Sequence, residues 1–199
     1  MAALIFLGVG ALLSAFSPPE RSLGPVYRIV MFHGGMAVVA FATLAVAAGV
    51  GLFSLVRPSR ASDAWTAAGQ ESAAFVFLLY FASSYVAMIK AWFGPLLEEP
   101  RFEAAVRVLV VGGIAFAVSL AVHRPRVRAA LSVLVGVYAL YLLAVTPLFF
   151  HPKNPVRTSD VVAARLFFYG IVASLGAFSA SFWGWRLARW RAHHRSGVD

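Results

Sequence analysis

No cysteine occurs anywhere in the 199 residues. Its absence excludes a disulfide framework, a thiolate zinc site, an iron–sulfur cluster and covalent haem attachment through Cys-x-x-Cys-His, so His, Met, carboxylate or backbone must hold any metal or cofactor. Charge is scarce as well. Only 13% of the residues are Asp, Glu, Lys or Arg, against about 25% in an ordinary soluble domain. Acidic residues are the scarcest, 8 against 17 Lys and Arg, which leaves a net charge of +9. The basic residues are dealt out between apolar runs and form no aromatic-interleaved patch, a distribution that orients membrane helices and argues against nucleic acid as a partner. Internal repeats and low-complexity segments are missing too.

What the chain does have is apolar length: 61% of it is hydrophobic and its mean hydropathy is +0.81. The apolar runs cover about 2–17, 29–56, 72–92, 104–122, 129–150 and 161–187. A helix needs about 20 residues to cross a hydrocarbon core of ~30 Å. The runs therefore predict an all-α, polytopic integral membrane protein of six transmembrane helices in the lipid bilayer, a single domain over residues 1–199. The first run is short, and it lacks both the basic leader and the small-x-small site of a signal peptide. It reads as an uncleaved helix stopped by Pro18 and Pro19.

Orientation follows from the loops. Arg57, Arg60, Arg124, Arg126, Arg128 and the tail Arg186, Arg189, Arg191 and Arg195 fall on one side with three acids, Asp63, Glu71 and Asp199; eight basic and five acidic residues fall on the other. The first set is packed into two short loops and a tail, with Trp183, Trp185 and Trp190 as an interfacial belt. By the positive-inside rule both termini are expected in the cytoplasm, and the loops near 17–28, 93–105 and 151–160 outside. These boundaries leave no carboxylate in the middle of a span and no pair of broken helices repeated between halves, which disfavours a transporter.

Histidine carries most of the remaining information. Of the five, His123, His193 and His194 fall among arginines on the inner side, whereas His33 opens the second span and His151 closes the fifth, both on the outer side. Two readings fit that pair: residues at headgroup level, or two axial imidazoles for one haem iron. Arg28 precedes His33 by about 500° of helical rotation and ~7.5 Å of rise. It is either a propionate partner or a snorkelling interface arginine. Gly34 and Gly35 allow close approach of a flat ligand or of a neighbouring helix. Lys153 and Arg157 are propionate contacts or solvated loop cations.

The stretch PPERSLGPVYRIVMFHGG at 18–35 resembles the start of the CcmC-type (CcmC/CcsA-like) haem-handling proteins of cytochrome c maturation. In that family a proline-ended first helix leads through an outward loop to Arg-Ile-x-x-x-His, the pattern of Arg28, Ile29 and His33. SDAWTAAGQESAAFVF at 62–77 is similar to the family's cytoplasmic entry into the third helix. WFGPLLEEPRF at 92–102 holds the place of its tryptophan-rich outward loop, with Glu99, Pro100 and Arg101 at the loop's characteristic ending. TPLFFHPKNPVR at 146–157 looks like the loop that carries the second histidine. This chain departs from the family in keeping only Trp92 of the loop tryptophans, in placing Gly-Gly after His33 where Val-Pro is usual, and in shortening the loop after Pro147.

The resemblance implies a binding and transfer protein that breaks no bond in its own site, and so is not an enzyme. It implies haem b held non-covalently at the outer face by His33 and His151 as axial ligands to the iron, with Arg28, Trp92, Arg101, Lys153 and Arg157 around it. It further implies a multi-pass protein of the bacterial cytoplasmic (inner) membrane, with a haem chaperone, an ABC-type transporter and small membrane subunits as partners. Two rival readings stand beside it: an accessory or structural subunit of a larger membrane complex that keeps the fold without haem, and a b-type cytochrome subunit for electron transfer.

Overall fold

The computed structural model describes residues 2–18, 24–92, 98–147 and 161–195. Six helices follow one another: α1 (Ala2–Phe16), α2 (Tyr27–Val56), α3 (Arg60–Trp92), α4 (Pro100–Val122), α5 (Pro125–Val145) and α6 (Val162–Arg195). Among the described residues α2 to α6 are long and apolar enough to cross a membrane. The chain is thus an all-α, multi-pass membrane protein. At 1.5 Å per residue the 15 residues of α1 reach only about 22 Å, short of a ~30 Å core. It lies instead along α6, where a Cβ on Gly10 would meet Leu175 at 3.1 Å and Ser174 Oγ donates to the Phe6 carbonyl at 2.7 Å.

Local chemistry sets the helix ends. Ser59 caps α3: its Oγ accepts from the Ser62 amide at 3.0 Å while Ser62 Oγ accepts from the Ser59 amide at 2.9 Å, a reciprocal arrangement like a capping box. Glu99 caps α4, its Oε2 accepting from Phe102 N at 2.7 Å, and Pro100 takes the first helical turn where its missing N–H costs nothing. Pro125 opens α5 in the same way. Between α4 and α5 the chain reverses through His123, whose φ of 52° is left-handed.

Capping also explains the main departure from the apolar runs. The sequence places the third span at 72–92, but α3 begins three turns earlier, because residues 60–71 are helical despite Arg60, Asp63, Gln70 and Glu71. Hydropathy marks where a segment becomes oily; caps mark where it becomes helical. Glu71 therefore lies about 16 Å along α3 from Arg60. Likewise α6 continues past 187 to Arg195.

The bundle centre is made of Met36, Ala40, Ala68, Val76, Ile171, Leu175 and Phe178, all but fully buried. Lipid is as apolar as these side chains, so close packing and interhelical hydrogen bonds hold the helices together. The seam between α2 and α5 requires Gly136: a Cβ there would come within 2.5 Å of Ala48 Cβ and 2.8 Å of the Leu44 carbonyl oxygen. Between α2 and α6, Thr43 and Ser179 hydroxyls meet at 2.8 Å.

Candidate functional site

His33 is half-buried on the face of α2 that meets α3. Its ring stacks on Tyr80, centroids 5.5 Å apart and planes 15° from parallel. Phe41 and Phe77 meet the Tyr80 ring at steep angles, at 5.7 and 5.2 Å, so the surface beneath the imidazole is fixed. His33 Nδ1 stands 3.3 Å from Ser83 Oγ, and Ser83 Oγ is 2.7 Å from the Tyr80 carbonyl oxygen. The Ser83 hydroxyl thus lies between an acceptor, the Tyr80 carbonyl, and a ring nitrogen of His33 that donates or accepts according to its tautomer.

The start of α4 completes this end of the bundle. Glu99, the cap of α4, is buried at 2% exposure. Phe102 stacks on Phe81 at 5.2 Å, which pins α4 to α3 beside the histidine. Thus His33 of α2 meets Tyr80 and Ser83 of α3, and α4 starts beside them through the Phe81–Phe102 contact.

Arg28 is elsewhere on the circumference. Its Nε donates to the Ser17 carbonyl at 3.3 Å and its own carbonyl accepts from Ser14 Oγ at 2.5 Å, so it faces α1 while His33 faces α3. The rotation of about 500° between them is realised as two different neighbours. Gly34 and Gly35 both turn to α6, where a Cβ would meet Phe168 at 3.4 Å and Ile171 at 2.8 Å respectively. Of the two roles open to this glycine pair, helix packing is the one they serve. His151, Lys153, Arg157 and the side chain of Trp92 lie outside the described residues.

At the opposite end a second polar cluster joins α3, α5 and α6. Glu71 pairs with Arg186 and accepts from Trp190 Nε1 at 3.2 Å. Arg128 pairs with Asp63 at 3.0 Å and lies over the Trp190 ring at 4.9 Å. Arg186 and Arg189 both lie over Trp185, at 5.4 and 5.3 Å. Glu71, Arg186, Arg189 and Trp190 line a cleft of about 240 Å³. In the sequence these are topology-setting arginines, an interfacial tryptophan belt and a loop carboxylate. Their pairing carries no sequence signal, since Glu71 and Arg186 are 115 residues apart.

No family model matches the chain, and no curated protein matches it either.

Proposed function

We propose that this multi-pass membrane protein is a haem-handling module, one that holds haem b non-covalently at the membrane surface bearing His33 and presents it for cytochrome c assembly. The observation that carries the reading is the setting of His33, whose ring stacks on Tyr80 and whose Nδ1 lies 3.3 Å from Ser83 Oγ. Metal-binding histidines are oriented by a hydrogen-bond partner on the other nitrogen. Haem, when bound, would supply an iron that takes imidazole nitrogens and two anionic propionates.

In this reading His33 and His151 would hold the iron through their ring nitrogens. Tyr80 keeps the His33 ring from turning, through the stacking contact already described. Arg101, on the His33 side of the bundle, is a propionate partner by charge-assisted hydrogen bonding, and Lys153 and Arg157 supply further cations. Arg28, whose side chain lies on the α1 side, would meet only a propionate that bends outward past the end of α2. Trp92 covers the macrocycle. The His33 end faces outward and the arginine- and tryptophan-rich end faces the cytoplasm of a bacterial inner membrane, as the positive-inside rule favours. The haem chaperone docks at the outer loops, and the ABC-type transporter and small membrane subunits surround the helices.

The test is the absorption spectrum of the detergent-purified protein supplied with haem. The reading expects a six-coordinate, low-spin Soret band in the wild type, shifted and weakly retained in His33→Ala and in His151→Ala, with helical content unchanged. A wild type that takes up no haem defeats the proposal and leaves the accessory-subunit reading in its place.

A further inference from the structure

The cleft at the arginine-rich end, on the seam of α3 and α6, has about 240 Å³ of space. One water takes about 30 Å³ in the liquid, so a phosphate group with part of its hydration fits there. The charges that line it do not balance. Both oxygens of Glu71 are engaged, one by Arg186 Nε and the other by Trp190 Nε1. Arg189 lines the same cleft, is exposed, and pairs with no carboxylate among the described residues. It stands three residues after Arg186 on α6, and both guanidinium groups lie over the one ring of Trp185. Like charges at that spacing oppose each other. The cleft therefore holds one cation more than it has anions to match.

Beneath the cleft the same seam turns aromatic. Phe75 stands one turn deeper than Glu71 on α3, and Phe182 one turn deeper than Arg186 on α6, about 6 Å in each case; the two rings stack with centroids 4.8 Å apart. Phe182 in turn meets Trp185 at 5.5 Å. This strip is open on its outer side, with Phe75 39%, Leu78 49% and Trp185 48% exposed. The apolar run of α3 begins at 72 and that of α6 ends at 187, so the strip faces hydrocarbon while the cleft stands at the level of the headgroups. A soluble anion has no use for the strip. A molecule with an anionic head and an apolar tail meets both parts at once.

We infer that this cleft is a binding site for one anionic phospholipid. Its phosphodiester accepts charge-assisted hydrogen bonds from Arg189, and an acyl chain lies along Phe75 and Leu78, in the manner of the basic pockets between membrane helices that hold acidic lipids. Zwitterionic lipid fits less well, because its ammonium group calls for a carboxylate and both Glu71 oxygens already have donors. The inference uses none of the residues of the haem reading and stands or falls separately from it.

The test uses the full chain in non-ionic detergent micelles and three probes: dioleoyl-phosphatidylglycerol, dioleoyl-phosphatidylcholine with the same chains, and glycerophosphate, a soluble phosphate without chains. Saturable elevation of the thermal midpoint reports binding. Phosphatidylglycerol should bind the wild type more tightly than phosphatidylcholine. Arg189→Gln should weaken phosphatidylglycerol about fivefold, the worth of one interfacial arginine, and leave phosphatidylcholine unchanged, whereas Arg189→Lys, which keeps the charge, should keep most of the affinity. Arg126→Gln removes an exposed arginine at the same end of the molecule that does not line the cleft, and should leave the affinity as it is. An equal loss in Arg126→Gln and Arg189→Gln overturns the inference, because the attraction then belongs to the whole basic surface. Equal binding of the two lipids overturns it as well, and so does stabilisation by glycerophosphate that matches the lipid's, which would make this a site for soluble phosphate.

Discussion

Glu71 on α3 and Arg186 on α6 form an ion pair whose side chains are only 15% and 26% exposed. Neither charge has its usual access to bulk water, and each is tolerated because the other is there. Removing one partner strands the other, an effect larger than the net worth of the pair. Because both retain some exposure, the expected loss for Arg186→Gln or Glu71→Leu is roughly 1–3 kcal/mol, below the full cost of a wholly buried pair. The double variant Glu71→Leu with Arg186→Leu should recover much of that loss. Unfolding in mixed micelles measures all three, and additive losses would mean that the two side chains are not coupled.

The glycine seams make a second prediction. Gly136→Val places a side chain against backbone at Leu44, which cannot step aside, and should lower stability by about 1–3 kcal/mol through overpacking. Gly49→Ala is the control, since its Cβ would meet nothing within 4 Å; the gain in helix propensity leaves it neutral or slightly stabilising. Melting curves of the two variants, compared with wild type, decide the matter.

Ser83 is the residue that distinguishes an oriented histidine from a merely present one. In haem-loaded protein Ser83→Ala should weaken haem retention by about tenfold, as loss of the partner on a ligand's other nitrogen does, while Ser83→Thr keeps the hydroxyl and most of the affinity. Apoprotein stability should fall by no more than about 1 kcal/mol for one half-exposed hydrogen bond. Haem transfer to apomyoglobin gives the retention directly. Equal retention in Ser83→Ala and wild type would mean that Ser83 does not orient His33 toward haem.

Topology is checked at Asp199. With the arginine-rich ends inside, a reporter fused there should be active in its cytoplasmic form and silent in its exported form, and a fusion after Thr146 should behave in the opposite way. The reversed pattern would put His33 in the cytoplasm and end the presentation model.

Much of the architecture is local and so could be read along the chain. Whether a stretch of about 20 residues dissolves in hydrocarbon depends on that stretch alone. A proline opens a helix without regard to what packs on it, as Pro100 and Pro125 do at α4 and α5. The all-α membrane class, the six helices and the place of the hairpin between Val122 and Pro125 follow from this. His33 could be singled out because a histidine at the head of an apolar run is unusual in itself.

Only the tertiary structure decided which residues meet. In a soluble helix the buried face is marked by a hydrophobic stripe; in a bilayer the lipid-facing side is as apolar as the packed one, so the stripe vanishes and no face announces its neighbour. That is why Ser83, 50 residues from His33, carries no sign of standing beside its ring, and why Glu71 reads as the end of a loop until Arg186 is seen beside it. Ser132 is the clearest case. A serine in an apolar run looks ordinary, and that its hydroxyl is left without a partner shows only once the helices have closed around it.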